Sequence, residues 1–306
     1  MPRLNHFSII AEEPEKLAQF YSKWFGFEEL TRDDAAIYIT DGYFSVGLLE
    51  SGSKQAEGDG PGLHHIGFQI ESIDDIETRL RAFDSSMRIE DRHQGGFAEY
   101  QLRDPEGLTL ELSEEGWGAK GERRVPGIRH VATCNPKDPW RSFAFYSQVF
   151  GLKDARLTEE ERPVHMGMWE RAGDTQVVEG VEVGGAVQRM RWDPATKSIQ
   201  DVVAIQEPRA VGGVPFACDG FVNVALLQTS DWIRPNLNHF GMLVRNSYDL
   251  LHAINEANPN GMRLDQRPQD RPFAEYRVWD PEGNAIDLSE KKGFKVDVGK
   301  IERIED

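Results

Sequence analysis

The chain of 306 residues has little cysteine and no long apolar run. Its two cysteines, Cys134 and Cys218, are too few for a disulfide framework or a thiolate metal cluster, and neither belongs to a C-x-x-C pair. A membrane-spanning helix takes about 20 consecutive apolar residues, and the sequence contains no such stretch. Its first residues do not resemble a secretory leader either. We therefore expect a cytoplasmic protein that does not enter membranes.

Basic residues are also scarce relative to acidic ones. The chain has 35 Lys and Arg residues against 52 Asp and Glu residues, which gives a formal net charge of −17. A surface of this sign repels nucleic-acid phosphates and anionic lipid headgroups. The composition therefore favours a small-molecule substrate as the partner, with no nucleic acid and no membrane. It leaves the oligomeric state open, including a homo-oligomer.

The sequence contains an internal repeat. Residues 97–116 (FAEYQLRDPEGLTLELSEEG) and 273–292 (FAEYRVWDPEGNAIDLSEKK) are identical at 11 of 20 positions. Upstream, FYSKWFGFEE returns as FYSQVFGLKD, and DGYFSVGLLE returns as DGFVNVALLQ, in the same order. The pattern predicts two modules, residues 1–122 and 123–306. The second carries an insertion around 155–218, which we expect to form long loops or a lid.

Each half also divides into two similar units. Every unit opens with a short apolar segment whose third residue is histidine, namely His6, His65, His130 and His239. A helical pattern follows, with apolar residues three or four positions apart, and then come short alternating segments broken by Gly, Asp-Gly or Asp-Pro turns. The sequence therefore predicts an α+β fold built from four βαβββ units.

The repeated histidines are candidate metal ligands. Because side chains alternate along a strand, units in the same register place their histidines on equivalent faces. The residues that close the last strand of each unit are Glu50, Glu111, Gln228 and Asp287. Two histidines and one carboxylate form a facial set that suits Fe(II) or Mn(II) and leaves coordination positions open.

The candidate metal set is therefore His6, His65 and Glu111, with His130, His239 and Asp287 as the second candidate set. Both sets assume that the first unit pairs with the second and the third with the fourth. If the first unit paired with the fourth instead, the ligands would be His6, His239 and Asp287.

These histidine-bearing strands and the DPEG-x3-[Glu/Asp]-Leu endings at Glu111 and Asp287 resemble the vicinal oxygen chelate superfamily. That superfamily includes glyoxalase I, extradiol dioxygenases, methylmalonyl-CoA epimerase and the fosfomycin and bleomycin resistance proteins. The resemblance covers nearly the whole chain. It implies two open-barrel glyoxalase-like modules, each of two βαβββ units around a divalent metal.

Four units in one chain are the layout of extradiol ring-cleaving dioxygenases. This resemblance implies a metal-dependent enzyme whose substrate has vicinal oxygens, such as an aromatic diol. It also implies one divalent metal per active module, with Fe(II) first and Mn, Zn or Ni as alternatives. His93 has a spacing that suits a catalytic acid or base, and Gln101 stands where those enzymes have tyrosine, so we expect it to contact substrate. Arg277, predicted to share a face with Asp287, is expected to clamp an anionic substrate.

Two other functions remain open. A resemblance to glyoxalase I implies an isomerase or lyase in which Glu50 is a fourth ligand that can leave the metal and act as the catalytic base. A non-enzymatic protein that sequesters a small molecule is the third interpretation. We expect the first module to be the active one, because Glu111 is longer than Asp287 and because Glu50 and His93 lie there. Arg277 and the insertion favour the second module.

Overall fold

The computed structural model describes eleven stretches of the chain. They are residues 2–56, 59–92, 97–134, 138–154, 187–193, 198–205, 215–227, 237–257, 263–267, 274–290 and 293–294. Much of the predicted insertion lies outside them. Among the described helices, none is long and apolar enough to cross a membrane.

The first half forms one mixed sheet with two helices. Its elements are β1 (Arg3–Ala11), α1 (Pro14–Phe25), β2 (Glu28–Arg32), β3 (Ala36–Thr40), β4 (Ser45–Glu50), β5 (Gly62–Gln69), α2 (Ile73–Phe83), β6 (Ile89–Asp91), β7 (Tyr100–Arg103) and β8 (Thr109–Ser113). The eight strands lie in the order β2-β3-β4-β1-β5-β8-β7-β6. The described strands therefore form an open sheet.

The second half repeats this arrangement with additional strands. Its elements are β9 (Gly127–Cys134), α3 (Pro139–Phe150), β10 (Lys153–Asp154), β11 (Val187–Asp193), β12 (Ser198–Ile205), β13 (Phe216–Cys218), β14 (Asn223–Leu227), β15 (Leu237–Leu243), α4 (Ser247–Ala257), β16 (Arg263–Gln266), β17 (Tyr276–Trp279) and β18 (Ala285–Ser289). Their order is β10-β13-β14-β9-β15-β18-β17-β16-β11-β12.

All four units have the same topology, which confirms the predicted α+β fold of four βαβββ units in two open modules. In each unit the first strand pairs in parallel with the last. The first strands of neighbouring units pair antiparallel in the middle of each sheet, β1 with β5 and β9 with β15. The sheets therefore join the first unit to the second and the third to the fourth, so the alternative pairing of the first unit with the fourth is wrong for the sheets.

Residues 187–193 and 198–205 of the predicted insertion form a hairpin. Strands β11 and β12 pair antiparallel with each other, and β11 also pairs with β16. This segment extends the second sheet at its edge, where the sequence analysis predicts long loops or a lid. At its end the predicted insertion includes β13, which pairs with β10 and β14 and so belongs to the third unit. Residues 155–186, 194–197 and 206–214 lie outside the described residues.

Alternation along β1 separates a core face from a site face. Phe7 and Ile9 are buried in a hydrophobic core that contains residues of both halves. The ring of Phe7 lies 4.9 Å from that of Phe240, centroid to centroid. His6 is also fully buried but lies on the other face of the sheet, because its neighbours along a strand point the opposite way.

The two repeated helices begin and end in similar ways. Each has proline in its first turn, where the missing N–H costs no helical hydrogen bond. Each ends at a glycine in the left-handed region, Gly26 with φ 69° and Gly151 with φ 75°. The chain therefore turns at the same point in both copies, and the tyrosine of the repeated FYS segment takes the same place on each helix.

The two halves contact each other through reciprocal hydrogen bonds. The buried hydroxyl of Tyr21 on α1 donates to Asp280 Oδ2 at 2.7 Å, and that of Tyr146 on α3 donates to Asp104 Oδ2 at 3.1 Å. Both aspartates begin the repeated DPEG turns. The other oxygen of Asp104 accepts three backbone N–H groups of its own turn. Each DPEG turn therefore fixes its own hairpin and also binds the other module.

The glutamates of these turns act in the same reciprocal way. Glu106 accepts the backbone N–H of Asp138 before α3, and Glu282 accepts those of Glu12 and Glu13 before α1. A carboxylate at a helix N-terminus satisfies N–H groups that have no partner within the helix. The first unit thus contacts the fourth, and the second contacts the third, through helices and turns.

These contacts give a prediction for stability. Tyr21→Phe and Tyr146→Phe each remove a buried hydrogen bond to a carboxylate, so each should lower the free energy of unfolding by about 1–3 kcal/mol. Urea denaturation followed by circular dichroism would measure the loss. Tyr248→Phe is the matched control, because Tyr248 is exposed. Equal stability of all three variants would contradict the interface described above.

Candidate metal centre

Three side chains converge on the site face of the first sheet, His6 from β1, His65 from β5 and Glu111 from β8. Each offers one ligand atom, and these atoms lie within 4.8 Å of one another. Glu111 Oε2 is 3.2 Å from His65 Nε2 and 3.6 Å from His6 Nε2. Strand register explains the convergence, because Gly67 pairs with His6 on one side and with Glu111 on the other.

His6 and Glu111 have the protonation states of metal ligands. Burial lowers the pKa of His6 to about 3, so its imidazole is neutral at pH 7. Burial alone would raise the pKa of Glu111, but His65 and His6 bring it down to about 2, so the carboxylate is ionised. His65 Nε2 is buried and has no hydrogen-bond partner of normal geometry among the described residues. The site therefore fits a divalent metal, because His6 is neutral, Glu111 is ionised and His65 Nε2 is buried beside them.

A short hydrogen-bond chain orients His65. Its Nδ1 lies 2.8 Å from His64 Nδ1, and His64 Nε2 lies 3.1 Å from Asp59 Oδ2. In the tautomer that would bind a metal, His64 donates from Nε2 to Asp59, and its Nδ1 accepts the proton of His65 Nδ1. In this tautomer His65 Nε2 carries a lone pair that a metal ion between it and Glu111 would use. Sequence analysis did not identify His64, although the doubled histidine of LHHIG was a signal for it.

Aromatic rings cover the site. Trp117 stacks on His6 with centroids 4.3 Å apart, and its Nε1 donates to Asn5 Oδ1 at 3.0 Å. Phe97 stacks on Tyr38 at 3.7 Å. A Cβ at Gly67 would lie 2.8 Å from Trp117 and 2.9 Å from His6, closer than carbon atoms approach. Glycine is therefore required for this ring to reach the histidine.

The structure corrects the expectation that Glu50 is a ligand or base. In the first unit the residue in the position of Glu111 is Gly47, which pairs with Ser8 as Glu111 pairs with Gly67. Glu50 lies three residues further on, paired with Ala11, and is exposed. An odd offset along a strand puts it on the opposite face. The centre therefore has two histidines and one carboxylate from these positions, and the four-ligand arrangement is not formed.

The remaining candidates of the first module lie as follows. Gln101 is buried on β7 and pairs directly with Glu111. His93 lies outside the described residues. Arg92, which sequence analysis did not single out, is close enough to contribute to the low pKa of Glu111. Arg267 is its counterpart, since the backbone N–H of Arg92 donates to the backbone carbonyl of Glu99 and that of Arg267 donates to the backbone carbonyl of Glu275, the repeated FAEY glutamates.

The second candidate set also converges, but it contains an arginine. His239 Nε2 lies 3.3 Å from His130 Nε2 and 3.3 Å from Asp287 Oδ2. Arg277 binds the same carboxylate with two contacts, Nε to Oδ1 at 2.6 Å and Nη2 to Oδ2 at 3.1 Å. Arg277 does share a face with Asp287, and its guanidinium is engaged by this internal partner.

The glycine beneath each aromatic ring offers a paired test. Gly241 faces Phe294 as Gly67 faces Trp117, and a Cβ added at Gly241 would lie only 2.6 Å from the ring. Gly67→Ala and Gly241→Ala should both destabilise the protein by about 1–3 kcal/mol through overpacking. Only Gly67→Ala should also weaken divalent metal binding, because it displaces His6. Calorimetric titration with Mn(II) would measure this, and equal affinities of the two variants would contradict the assignment.

Comparisons with known proteins agree with this architecture. A family model described as the Glyoxalase/Bleomycin resistance protein/Dioxygenase superfamily matches residues 3–112 and 127–288. A search of curated proteins finds no match.

Several solved structures have the same fold at low sequence identity. The 2,3-dioxygenase LapB from Pseudomonas sp. KL28 has a TM-score of 0.57 and 14% identity, over 94% of this chain and 91% of that chain. Homoprotocatechuate 2,3-dioxygenase from Arthrobacter globiformis has a TM-score of 0.57 and 13% identity, over 94% of this chain and 78% of that chain. The Mn(II)-bound glyoxalase from Novosphingobium aromaticivorans has a TM-score of 0.57 and 16% identity, over 95% of this chain and 83% of that chain. Because the family model covers most of both modules, the chain belongs to the Glyoxalase/Bleomycin resistance protein/Dioxygenase superfamily.

Proposed function

We propose that this protein is an Fe(II)-dependent, extradiol-type ring-cleaving dioxygenase with its metal centre in the first module. The observation that carries the proposal is the set of two histidines and one carboxylate formed by His6, His65 and Glu111. A facial set of this kind leaves positions open for a chelating substrate and for oxygen, and it is typical of non-haem Fe(II) oxygenases. The similar folds of two dioxygenases support the same reaction class.

The charge of the site suits a diol that has lost a proton. Two imidazole ligands and one carboxylate neutralise only half of the charge of a divalent ion. When bound, such an ion lowers the pKa of a coordinated hydroxyl and brings the substrate and oxygen together. The ionised Glu111 and the neutral His6 hold this charge in place without taking up a proton themselves at pH 7.

The surrounding residues favour a flat substrate. The face of the site contains the aromatic rings of Tyr38, Phe97 and Trp117. Rings of this kind bind planar aromatic molecules by offset or edge contacts and keep water away from the centre. The buried amide of Gln101 lies next to Glu111 and can donate to a substrate oxygen. Arg92 adds a positive charge for an acidic substituent.

Several expectations from the sequence stay predictions. They are the role of His93 as acid or base, the module boundaries at residues 1–122 and 123–306, and the cytoplasmic location. Mn(II), Zn(II) and Ni(II) are the alternative metals, and an aromatic diol is the proposed substrate class.

The glyoxalase-type isomerase is the second candidate. The specific observation in its favour is the similar fold of a Mn(II)-bound glyoxalase, with the same TM-score as the dioxygenases. Against it stands the position of Glu50, since the second carboxylate that would act as base is not at the centre. We therefore rank the isomerase below the dioxygenase.

Metal binding should depend on the first module. His65→Ala removes one ligand and should weaken Fe(II) or Mn(II) binding by more than about 100-fold. The matched variant His239→Ala changes the equivalent strand of the second module and should keep wild-type affinity. Elemental analysis after anaerobic reconstitution and desalting would measure both. Loss of metal from His239→Ala alone would move the centre to the second module.

The reaction class can be tested with one panel of substrates. Fe(II)-loaded protein should take up one O2 per molecule of an aromatic diol and form a yellow ring-opened product, measured with an oxygen electrode and by absorbance. Glu111→Ala should abolish the uptake, because it removes the only carboxylate of the facial set. A parallel thiohemiacetal assay with Zn(II)-, Ni(II)- and Mn(II)-loaded protein tests the isomerase. Isomerisation without oxygen uptake would replace the dioxygenase proposal, and diol binding by metal-free protein alone would favour sequestration.

A further inference from the structure

We propose that Arg277 keeps the second module free of metal by placing its guanidinium where a divalent ion would bind Asp287. The residue at this strand position, Gln101 in one module and Arg277 in the other, then decides which module binds metal.

The two residues occupy equivalent positions. Gln101 on β7 pairs with Glu111 on β8, and Arg277 on β17 pairs with Asp287 on β18. Side chains that face each other across an antiparallel pair lie about 5 Å apart at Cβ. Each therefore lies beside the carboxylate of its own module. One is a neutral amide, and the other is a permanent cation.

The histidines alone do not explain a difference between the modules. In the second module His130 Nδ1 lies 3.0 Å from Asn223 Oδ1, and His239 Nδ1 lies 2.7 Å from Asn238 Oδ1. Both Nδ1 atoms contact an amide oxygen, and both Nε2 atoms point to the centre, where they lie 3.3 Å apart. Imidazole nitrogens of the form that metals bind are thus present in both copies.

The guanidinium engages both oxygens of the second carboxylate. Its two contacts form a fork, Nε to Oδ1 and Nη2 to Oδ2, within a buried site. Although burial alone would raise the pKa of Asp287, Arg277 and His239 hold it well below its usual range, so the carboxylate is charged and paired. A divalent ion there would have to displace this fork or remain next to its positive charge.

The first module differs in this respect. In this module His6, His65 and Glu111 bring three metal-ligand atoms within 4.8 Å of one another. Glu111 faces Gln101, which supplies no positive charge at that position. Arg92 near Glu111 and Arg267 near Asp287 are matched in the two copies, so the copies differ at the facing strand position. There a divalent ion would supply in one copy the charge that Arg277 supplies in the other.

Substitutions at Arg277 test the proposal, with Mn(II) alone as the probe. Wild-type protein should bind about one Mn(II) per chain, measured by calorimetry and by elemental analysis after desalting. Arg277→Gln combined with Asp287→Glu reproduces the Gln101 and Glu111 pair and should bind about two. Arg277→Lys keeps the positive charge and should bind as wild type does.

The reverse substitution, Gln101→Arg, tests the proposal even if Arg277→Gln/Asp287→Glu does not fold. Gln101→Arg should reduce Mn(II) binding to near zero while circular dichroism and the metal-free melting temperature stay those of a folded protein. Two ions bound by wild type, no gain in folded Arg277→Gln/Asp287→Glu, or full binding by Gln101→Arg would each overturn the proposal.

The test also separates this proposal from the proposed function. The Gln101→Arg arm depends on a metal centre in the first module, whereas the Arg277 arm does not. In a His65→Ala background, Arg277→Gln/Asp287→Glu should still gain one ion, because the gained site lies in the second module. A gain there without any binding by wild type would refute the first-module centre and support the role of Arg277.

Discussion

The antiparallel pairing of β1 with β5 is the constraint on which the site depends. It places the first strands of two units side by side in the middle of a sheet, so that His6 and His65, far apart in sequence, share one face. The parallel pairing of β5 with β8 then adds Glu111 opposite Gly67. A slip of one residue in either pairing would turn a ligand to the core face. The large core shared by the two modules favours this register, since Phe7 and Ile9 are buried in it on the other face of β1.

The reciprocal contacts between the modules explain why the DPEG and FYS segments are so similar in the two halves. The DPEG turns are identical in the two halves and FYS recurs on both helices, and none of the metal ligands belongs to the four residues of either turn. Asp104 binds Tyr146, and Asp280 binds Tyr21, so each motif serves the module that does not contain it. Asp41 and Asp219 follow the same rule, because each accepts the backbone N–H at the start of the other module's first strand. In these segments, sequence identity between the halves thus reflects the interface rather than the metal ligands.

The sequence was sufficient for the four units and for the convergence of His6, His65 and Glu111, because histidine position and turn signals recur with little change. It was insufficient for Glu50. Aligning strands by their ends gave Glu50 the place of Glu111, whereas hydrogen-bond register gives that place to Gly47. Register depends on how two strands pair, which periodicity within one strand does not specify. The same limit applies to the ion pair of Arg277, since alternation predicts a shared face with Asp287 but not a fork on both oxygens.

Retained histidines are therefore a weak indicator of a retained metal site in a duplicated protein. His130 stacks on Phe294 with centroids 5.1 Å apart and binds Asn223, so it has structural partners that would preserve it without any ion. A carboxylate is different, because burying it without a cation is costly. The group that neutralises the buried carboxylate is thus a better indicator of a metal site than the histidines are. In the first module the strand position facing Glu111 holds a neutral amide, and in the second the same position holds Arg277, which forks onto Asp287. Two copies with nearly the same ligands can differ in function through the residue on the adjacent strand.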